Sequence, residues 1–260
     1  MPVDLGAMYF RCDLRDRMMR EVCFTGRYEP QETALLQQTL RPGMVFVDVG
    51  ANWGYFTLAA AHFVGRAGRV VSVEADPRAC RTLRQNLARN RLDSVIVREM
   101  AASDAPGVLR MQEYEPRADE SGNFGLTRTT TVAEHGRHFE VTAGRLDELL
   151  DEAGVERVDL LKMDIEGAEG RALAGLDRAL GTRRVARVLL EVHPQHLIDQ
   201  GSSAERVIAE LRGYGYRPWK IDHSPSVYRR VAAGELDVTS ALTPLAGTDD
   251  LGPWPHLLWV

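Results

Sequence analysis

Short apolar runs, each closing on a polar or acidic residue and followed by a helical pattern, recur along the chain. They lie at 44–49 (MVFVDV), 69–74 (RVVSVE), 94–100 (SVIVREM), 158–164 (VDLLKMD) and 185–193 (VARVLLEVH). These runs are nearly continuous in Val, Leu and Ile rather than alternating, as parallel strands covered on both faces require. Between them the period changes to that of a helix. Asp76 and Pro77 offer an N-cap and a first-turn proline, after which Cys80, Leu83 and Leu87 fall on one face. A helix beginning near Gly167 would carry Ala172, Leu173, Leu176 and Leu180 on one side. Another would start at Ser202 or Ser203, bury Val207, Ile208 and Leu211, and stop at Gly213. This strand-helix alternation predicts an α/β fold with an open, doubly wound, mostly parallel sheet.

Two stretches break the rhythm. Residues 104–145 scatter glycines and Pro116 around strand-like pieces at 108–114, 124–131 and 139–142, which predicts an inserted β-hairpin region covering a site. Tyr114, Phe124, His135 and His138 within it read equally as pocket lining or as hairpin packing. Residues 1–40 read as a helical, irregular segment that packs across the same edge or acts as a lid, leaving 41–260 as the main domain. The segments 216–222, 226–231 and 256–260 read as closing strands.

Composition narrows the setting. The 260 residues suit one large domain with insertions, and 44% hydrophobic content supplies a sizeable core. A net charge of −5 argues against a nucleic-acid partner, which needs a concentrated positive field. Of 32 basic residues only Lys162 and Lys220 are lysine, a skew that suits a GC-rich coding sequence better than phosphate recognition. Cys12, Cys23 and Cys80 form an odd set with no CxxC spacing, and no run approaches the roughly 18 apolar residues of a bilayer span. A cytoplasmic protein without a membrane partner is expected.

The chemistry concentrates where strands end. Asp48-Val49-Gly50-Ala51-Asn52-Trp53-Gly54 stands at the first strand-to-helix turn, where glycines would let the backbone approach a ligand and aim helix N–H groups at it. The GxGxxG of a nicotinamide dinucleotide site fails, because Tyr55 stands where its last glycine belongs. Glu74, closing the second strand, is placed to accept both ribose hydroxyls of a nucleoside lying across the switch point. Asp164, Glu166 and Glu169 follow the fourth strand, and period-two alternation puts Glu191 and His193 on one side of the fifth. A carboxylate and an imidazole facing Asp164 make a base or a metal site. Tyr216 and Lys220 have a dehydrogenase-like Y-x-x-x-K spacing, but Pro218 between them denies the helix that spacing needs.

Together these residues resemble the FkbM-type family of S-adenosylmethionine-dependent methyltransferases. FVDVGANWGYFTLAAA, VVSVEADP, AASD, LLKMDIEGAEGRAL, LLEVHP and HLLW occur in the family's order, from about residue 24 to the C-terminus. The resemblance implies a Rossmann-like class I methyltransferase fold with a seven-stranded sheet and S-adenosyl-L-methionine as cofactor. Many members O-methylate hydroxyls of polyketides, sugars and other secondary metabolites. By motif position, Asp48, Gly50, Asn52 and Gly54 would surround the cofactor's methionyl end, Glu74 would hold the ribose, and Ala102 and Ser103 would meet the adenine edge. Asp164 would complete the cofactor set.

His193 is then the expected general base, with an ordinary pKa near 6.5 and oriented by Glu191 or Asp164. Alternatively, Mg²⁺ held by Asp164 and Glu191 would acidify a hydroxylated small-molecule substrate. An N-methyltransferase of the same fold, a nucleotide-dependent oxidoreductase and a non-catalytic binding module are the other readings, and a homodimer is compatible with the chain.

Overall fold

The computed structural model describes residues 2–3, 8–113, 127–129, 138–247, 251–252 and 254–260. Among these, eight strands form the main sheet: β1 (Val45–Val49), β2 (Arg69–Glu74), β3 (Ile96–Glu99), β4 (Leu160–Met163), β5 (Val188–Glu191), β6 (Pro218–Ile221), β7 (Leu242–Pro244) and β8 (His256–Trp259). Their spatial order is β7-β6-β8-β5-β4-β1-β2-β3. Strands β5, β4, β1, β2 and β3 run parallel, while β8 inserts antiparallel between β5 and β6. Successive side chains on the central strands enter opposite layers. Phe46, Leu160 and Leu189 pack with Leu36 and Leu58 on one face, and Val47, Leu161 and Leu190 pack with Leu149, Leu173 and Ile208 on the other. Connections leave β1 toward β2 and β4 toward β5, so the crevice between the ends of β1 and β4 is the topological switch point.

The seven expected strands become eight because Leu242–Pro244 adds an edge strand antiparallel to β6. Three residues ending in proline give no periodic signal, and only an edge tolerates a proline there. A second correction concerns 226–231: this is no strand but lies in an α-helix, Pro225–Ala232, with Pro225 in its first turn and Val231 buried. Val227 and Val231, four apart, fall on one face of a helix and of a strand alike, so their spacing does not separate the two. The single helix expected after Gly167 is two, Glu169–Ala174 and Asp177–Gly181. The break is held by buried Asp147, whose carboxylate accepts from the backbone N–H groups of Arg178 at 3.0 Å and Ala179 at 2.9 Å.

Other expectations match the structure. In the helix Pro77–Arg89, Asp76 caps the Arg78 N–H and Cys80, Leu83 and Leu87 are buried; in Ala204–Gly213, Ser203 is the cap. The N-terminal helices Arg17–Thr25 and Pro30–Thr39 are integral to the core, since Met19, Leu35 and Leu36 pack against main-sheet residues. The inserted region forms a small second sheet in which Gly107–Glu113 and His138–Gly144 pair antiparallel. Thr127–Thr129 and Ala101–Ala102 lie at its edges. Tyr114, Phe124 and His135 lie outside the described residues.

Candidate active site

A cavity of about 520 Å³ opens at the carboxyl ends of β1, β2, β4 and β5, within the usual size for a small-molecule site. The loop after β1 forms its floor. Gly50 has φ +85°, and a Cβ there would stand 1.9 Å from the Asp164 carbonyl oxygen. The glycine therefore lets the loop cross the end of β4. The loop's amides do not face the cavity as expected. Gly50 and Ala51 donate to the Val73 carbonyl at 2.9 and 3.0 Å, and Asn52 donates its backbone N–H to Glu74 Oε2 at 2.7 Å. Their hydrogen bonds fix the loop and aim Glu74.

Glu74 lies on the cavity wall with Oε1 accepting from the Asp76 N–H at 2.8 Å. Burial raises its carboxyl to about 7 against the lowering by these backbone donors. Asn52 also lines the wall, and its Oδ1 is buried with no hydrogen-bond partner. Ala102 lines the apolar side together with Met100 and Met111.

Three of the expected cofactor residues stand behind the wall. Asp48 is buried under the loop, where its Oδ2 accepts from Thr57 Oγ1 at 2.6 Å and burial raises its pKa. Gly54 serves close packing, since a Cβ would stand 2.3 Å from Leu83 Cδ1. Ser103 turns its hydroxyl to Asp104 at 3.0 Å.

The far wall is charged. His193 is buried, and its Nδ1 lies 2.9 Å from Glu169 Oε1, which also accepts from the Gly167 N–H at 3.0 Å. Its Nε2 faces Glu191 Oε1 at 3.5 Å, Glu166 Oε2 at 3.6 Å and Asp164 Oδ1 at 3.9 Å. Burial opposes the charged imidazole. The hydrogen bonds to Glu169 and Glu191, with the charges of Glu166 and Asp164, nevertheless hold its pKa up to about 12. This overturns the ordinary pKa expected for a base, and the ring is oriented by Glu169 rather than by Glu191 or Asp164. The expected pair of metal ligands is also divided: Asp164 clusters with Glu166 and His193, whereas Glu191 clusters with Glu29 and His256.

Several site residues escaped the sequence reading. Buried Lys162 lines the cavity with Nζ 3.2 Å from Asp164 Oδ2 and 4.6 Å above the Phe56 ring. Its position two residues before Asp164 on the same strand face was a usable signal. Tyr28 and Glu21 reach the wall from the N-terminal segment. His256, raised to about 10 against burial by Glu32 and Glu191, has its Nε2 3.6 Å from Glu191 Oε1. Its Nδ1 lies 2.9 Å from Glu32 Oε1, and His223 Nε2 lies 2.7 Å from the same oxygen.

Residues 48–218 match the family model of the methyltransferase FkbM domain. The chain belongs to the FkbM methyltransferase family. Over 200 residues it is 33% identical to the 31-O-demethyl-FK506 methyltransferase FkbM of Streptomyces tacrolimicus, covering 68% of this chain and 74% of that protein. It is 28% identical over 180 residues to the 2-O-methyltransferase NoeI of Sinorhizobium fredii, covering 66% and 72%. The crystal structure of methyltransferase FkbM from Methylobacillus flagellatus superposes with a TM-score of 0.50 at 14% identity, over 98% of this chain and 62% of that one, and shares the fold. As an FkbM methyltransferase the chain is an S-adenosylmethionine-dependent enzyme, which sets aside the oxidoreductase and binding-module readings.

The cavity residues fit that cofactor. Asn52 Oδ1 offers an unused acceptor to an ammonium group, the Glu74 carboxylate suits a ribose diol, and the side around Ala102 and Met100 is apolar enough for a base.

Proposed function

We propose that this FkbM methyltransferase methylates a hydroxyl group of a small molecule of secondary metabolism. The observation that carries the reading is the convergence of Asp164, Glu191 and His193 on one cavity wall, with Gly50, Asn52 and Glu74 on another. The names of two relatives, which specify methylation at oxygen, support it.

S-adenosylmethionine, when bound, supplies an activated methyl group on a sulfonium. The remaining work belongs to the protein. Walls contributed by β1, β2, β4, β5 and the first N-terminal helix hold the acceptor in line, an effect worth up to about 7–11 kcal/mol in well-oriented model reactions. An alcohol must also lose its proton, so a group that accepts the proton or acidifies the hydroxyl must stand beside it. His193 is central to either device. Positive charge introduced into the cavity offsets the surrounding carboxylates and loosens the imidazole's hold on its proton.

The test uses methyl-labelled S-adenosylmethionine with a panel of hydroxylated and aminated metabolites, the products being located by mass fragmentation. Methyl ethers are expected. Label found only on nitrogen would replace this reading with the N-methyltransferase one. In the same assay His193→Ala should lose at least 100-fold in turnover while binding S-adenosylhomocysteine with unchanged affinity. Near-wild-type turnover would remove His193 from the chemistry.

A further inference from the structure

Of the three clusters on the described residues that bring imidazole nitrogens and carboxylate oxygens together, two have spacings that differ in kind. In the first, both His223 Nε2 and His256 Nδ1 lie within 2.9 Å of the single oxygen Glu32 Oε1. Those are hydrogen-bond lengths, and the nitrogens are engaged by the carboxylate itself. In the second, His193 Nε2 faces carboxylate oxygens of Glu191, Glu166 and Asp164 at 3.5, 3.6 and 3.9 Å. Ligand atoms about 2.0–2.2 Å from one ion are separated by roughly 3.0–3.4 Å; the nitrogen-to-oxygen spacings are close to that range, and one donor atom each of Asp164, Glu166 and His193 lies within 4.8 Å of the others.

Three further observations point the same way. His193 is buried, and Glu169 holds its Nδ1 at 2.9 Å, the carboxylate-imidazole arrangement that turns the Nε2 lone pair toward a metal. Glu169 Oε2 is itself buried without a hydrogen-bond partner. Carboxylates also outnumber fixed cations there: Asp164, Glu166, Glu169 and Glu191 share the titratable imidazoles of His193, His196 and His256 with one lysine, Lys162, which pairs with Asp164. A bound cation would take over the pairing that protonated imidazoles otherwise provide.

We propose that Asp164, Glu166 and His193 bind one divalent transition-metal ion, with Glu191 at the margin of the site and Glu169 orienting the imidazole. The mixed nitrogen and oxygen donors favour an ion of the Mn²⁺, Fe²⁺ or Zn²⁺ type over Mg²⁺, which prefers oxygen alone. The ion stands on the same wall as the proton-handling groups, where it lowers the pKa of an acceptor hydroxyl and makes His193 a ligand instead of a base. That catalytic consequence rests on the hydroxyl-methylating reading above; the binding itself does not.

The experiment titrates Mn²⁺ into chelator-stripped full-length protein, followed by electron paramagnetic resonance, with Zn²⁺ and Mg²⁺ competing and S-adenosylhomocysteine binding measured in parallel. One Mn²⁺ per chain is expected, at least tenfold tighter than Mg²⁺. Glu166→Gln and Asp164→Asn, both on the cavity-facing side, should each weaken it at least tenfold. Glu169→Gln should cost about 10–100-fold, as the loss of an orienting partner does. His223→Ala should leave binding unchanged. Absence of a stoichiometric site, equal affinity for Mg²⁺, or loss in His223→Ala with retention in Glu166→Gln overturns the proposal. Nucleoside binding without metal binding refutes the ion and leaves the methyltransferase reading intact; metal binding without nucleoside binding does the reverse.

Discussion

Gly50 and Gly43 share a left-handed backbone, at φ +85° and +89°, yet they make different demands on a side chain. A Cβ at Gly43 meets nothing within 4 Å, so Gly43→Ala should cost only the conformational strain of about 1–2 kcal/mol. At Gly50 the Cβ would overlap a backbone oxygen of β4, and backbone cannot swing aside. Gly50→Ala should therefore cost clearly more, upwards of about 3 kcal/mol, and misplace Glu74 through the shifted loop. Urea denaturation of both variants measures the difference, and equal losses would show that the close approach to Asp164 is unimportant.

Glu74 gives a second residue-scale prediction. Its carboxyl is raised to about 7, so in the folded chain it stays protonated where an unfolded one, near 4.3, has ionised. Its contribution to stability thus falls as pH rises between those values and is level above about 7. Binding has the opposite sign. Ribose hydroxyls donate to the ionised form, so S-adenosylhomocysteine affinity should rise toward pH 7, by up to tenfold per unit, and then level. Calorimetry from pH 5.5 to 8.5 reads this slope, and Glu74→Gln should bind more weakly with the slope removed.

At the scale of elements, strands and capped helices were legible where a local pattern was complete. The MVFVDV and VDLLKMD runs contain a buried strand because both faces are apolar, and Asp76-Pro77 ahead of an apolar stripe at helical spacing carries its own helix start. The 226–231 segment misled because its two valines fit a short strand and a helix face alike. The break between Glu169–Ala174 and Asp177–Gly181 could not be read locally, since its cap is Asp147, some 30 residues earlier. The N-terminal segment read as a lid contributes to the wall, but its second helix is core. Leu36 there is wholly buried against the main sheet, and Leu36→Ala should cost about 2–5 kcal/mol in urea unfolding. A loss below 0.5 kcal/mol would mean that this helix is a detachable cover.

Across the whole molecule, charge is segregated. Arginines pair at the surface, as in Arg84–Glu99 and Arg178–Asp151, where exposed bridges contribute little. Carboxylates instead line a cavity whose walls come from the first N-terminal helix, four strand ends and Trp254. A ligand seated there joins segments far apart in sequence. S-adenosylhomocysteine at 100 times its Kd should stabilise the fold by about 2.7 kcal/mol, visible as a higher Tm. An unshifted Tm at that concentration would show that the nucleoside does not bind the folded chain selectively.

The central parallel strands and the residues at their ends were written locally, because burial on two faces dictates the apolar runs and the switch point dictates where polar residues gather. Gly50, Asn52, Glu74, Asp164, Glu191 and His193 could therefore be named from the chain alone. Their partners could not. Glu169 on His193 and His256 between Glu191 and Glu32 are neighbours through space only, and a pKa follows from the sum of such neighbours. Packing three carboxylates around Nε2 and a fourth on Nδ1 raises the imidazole's pKa well above its ordinary value.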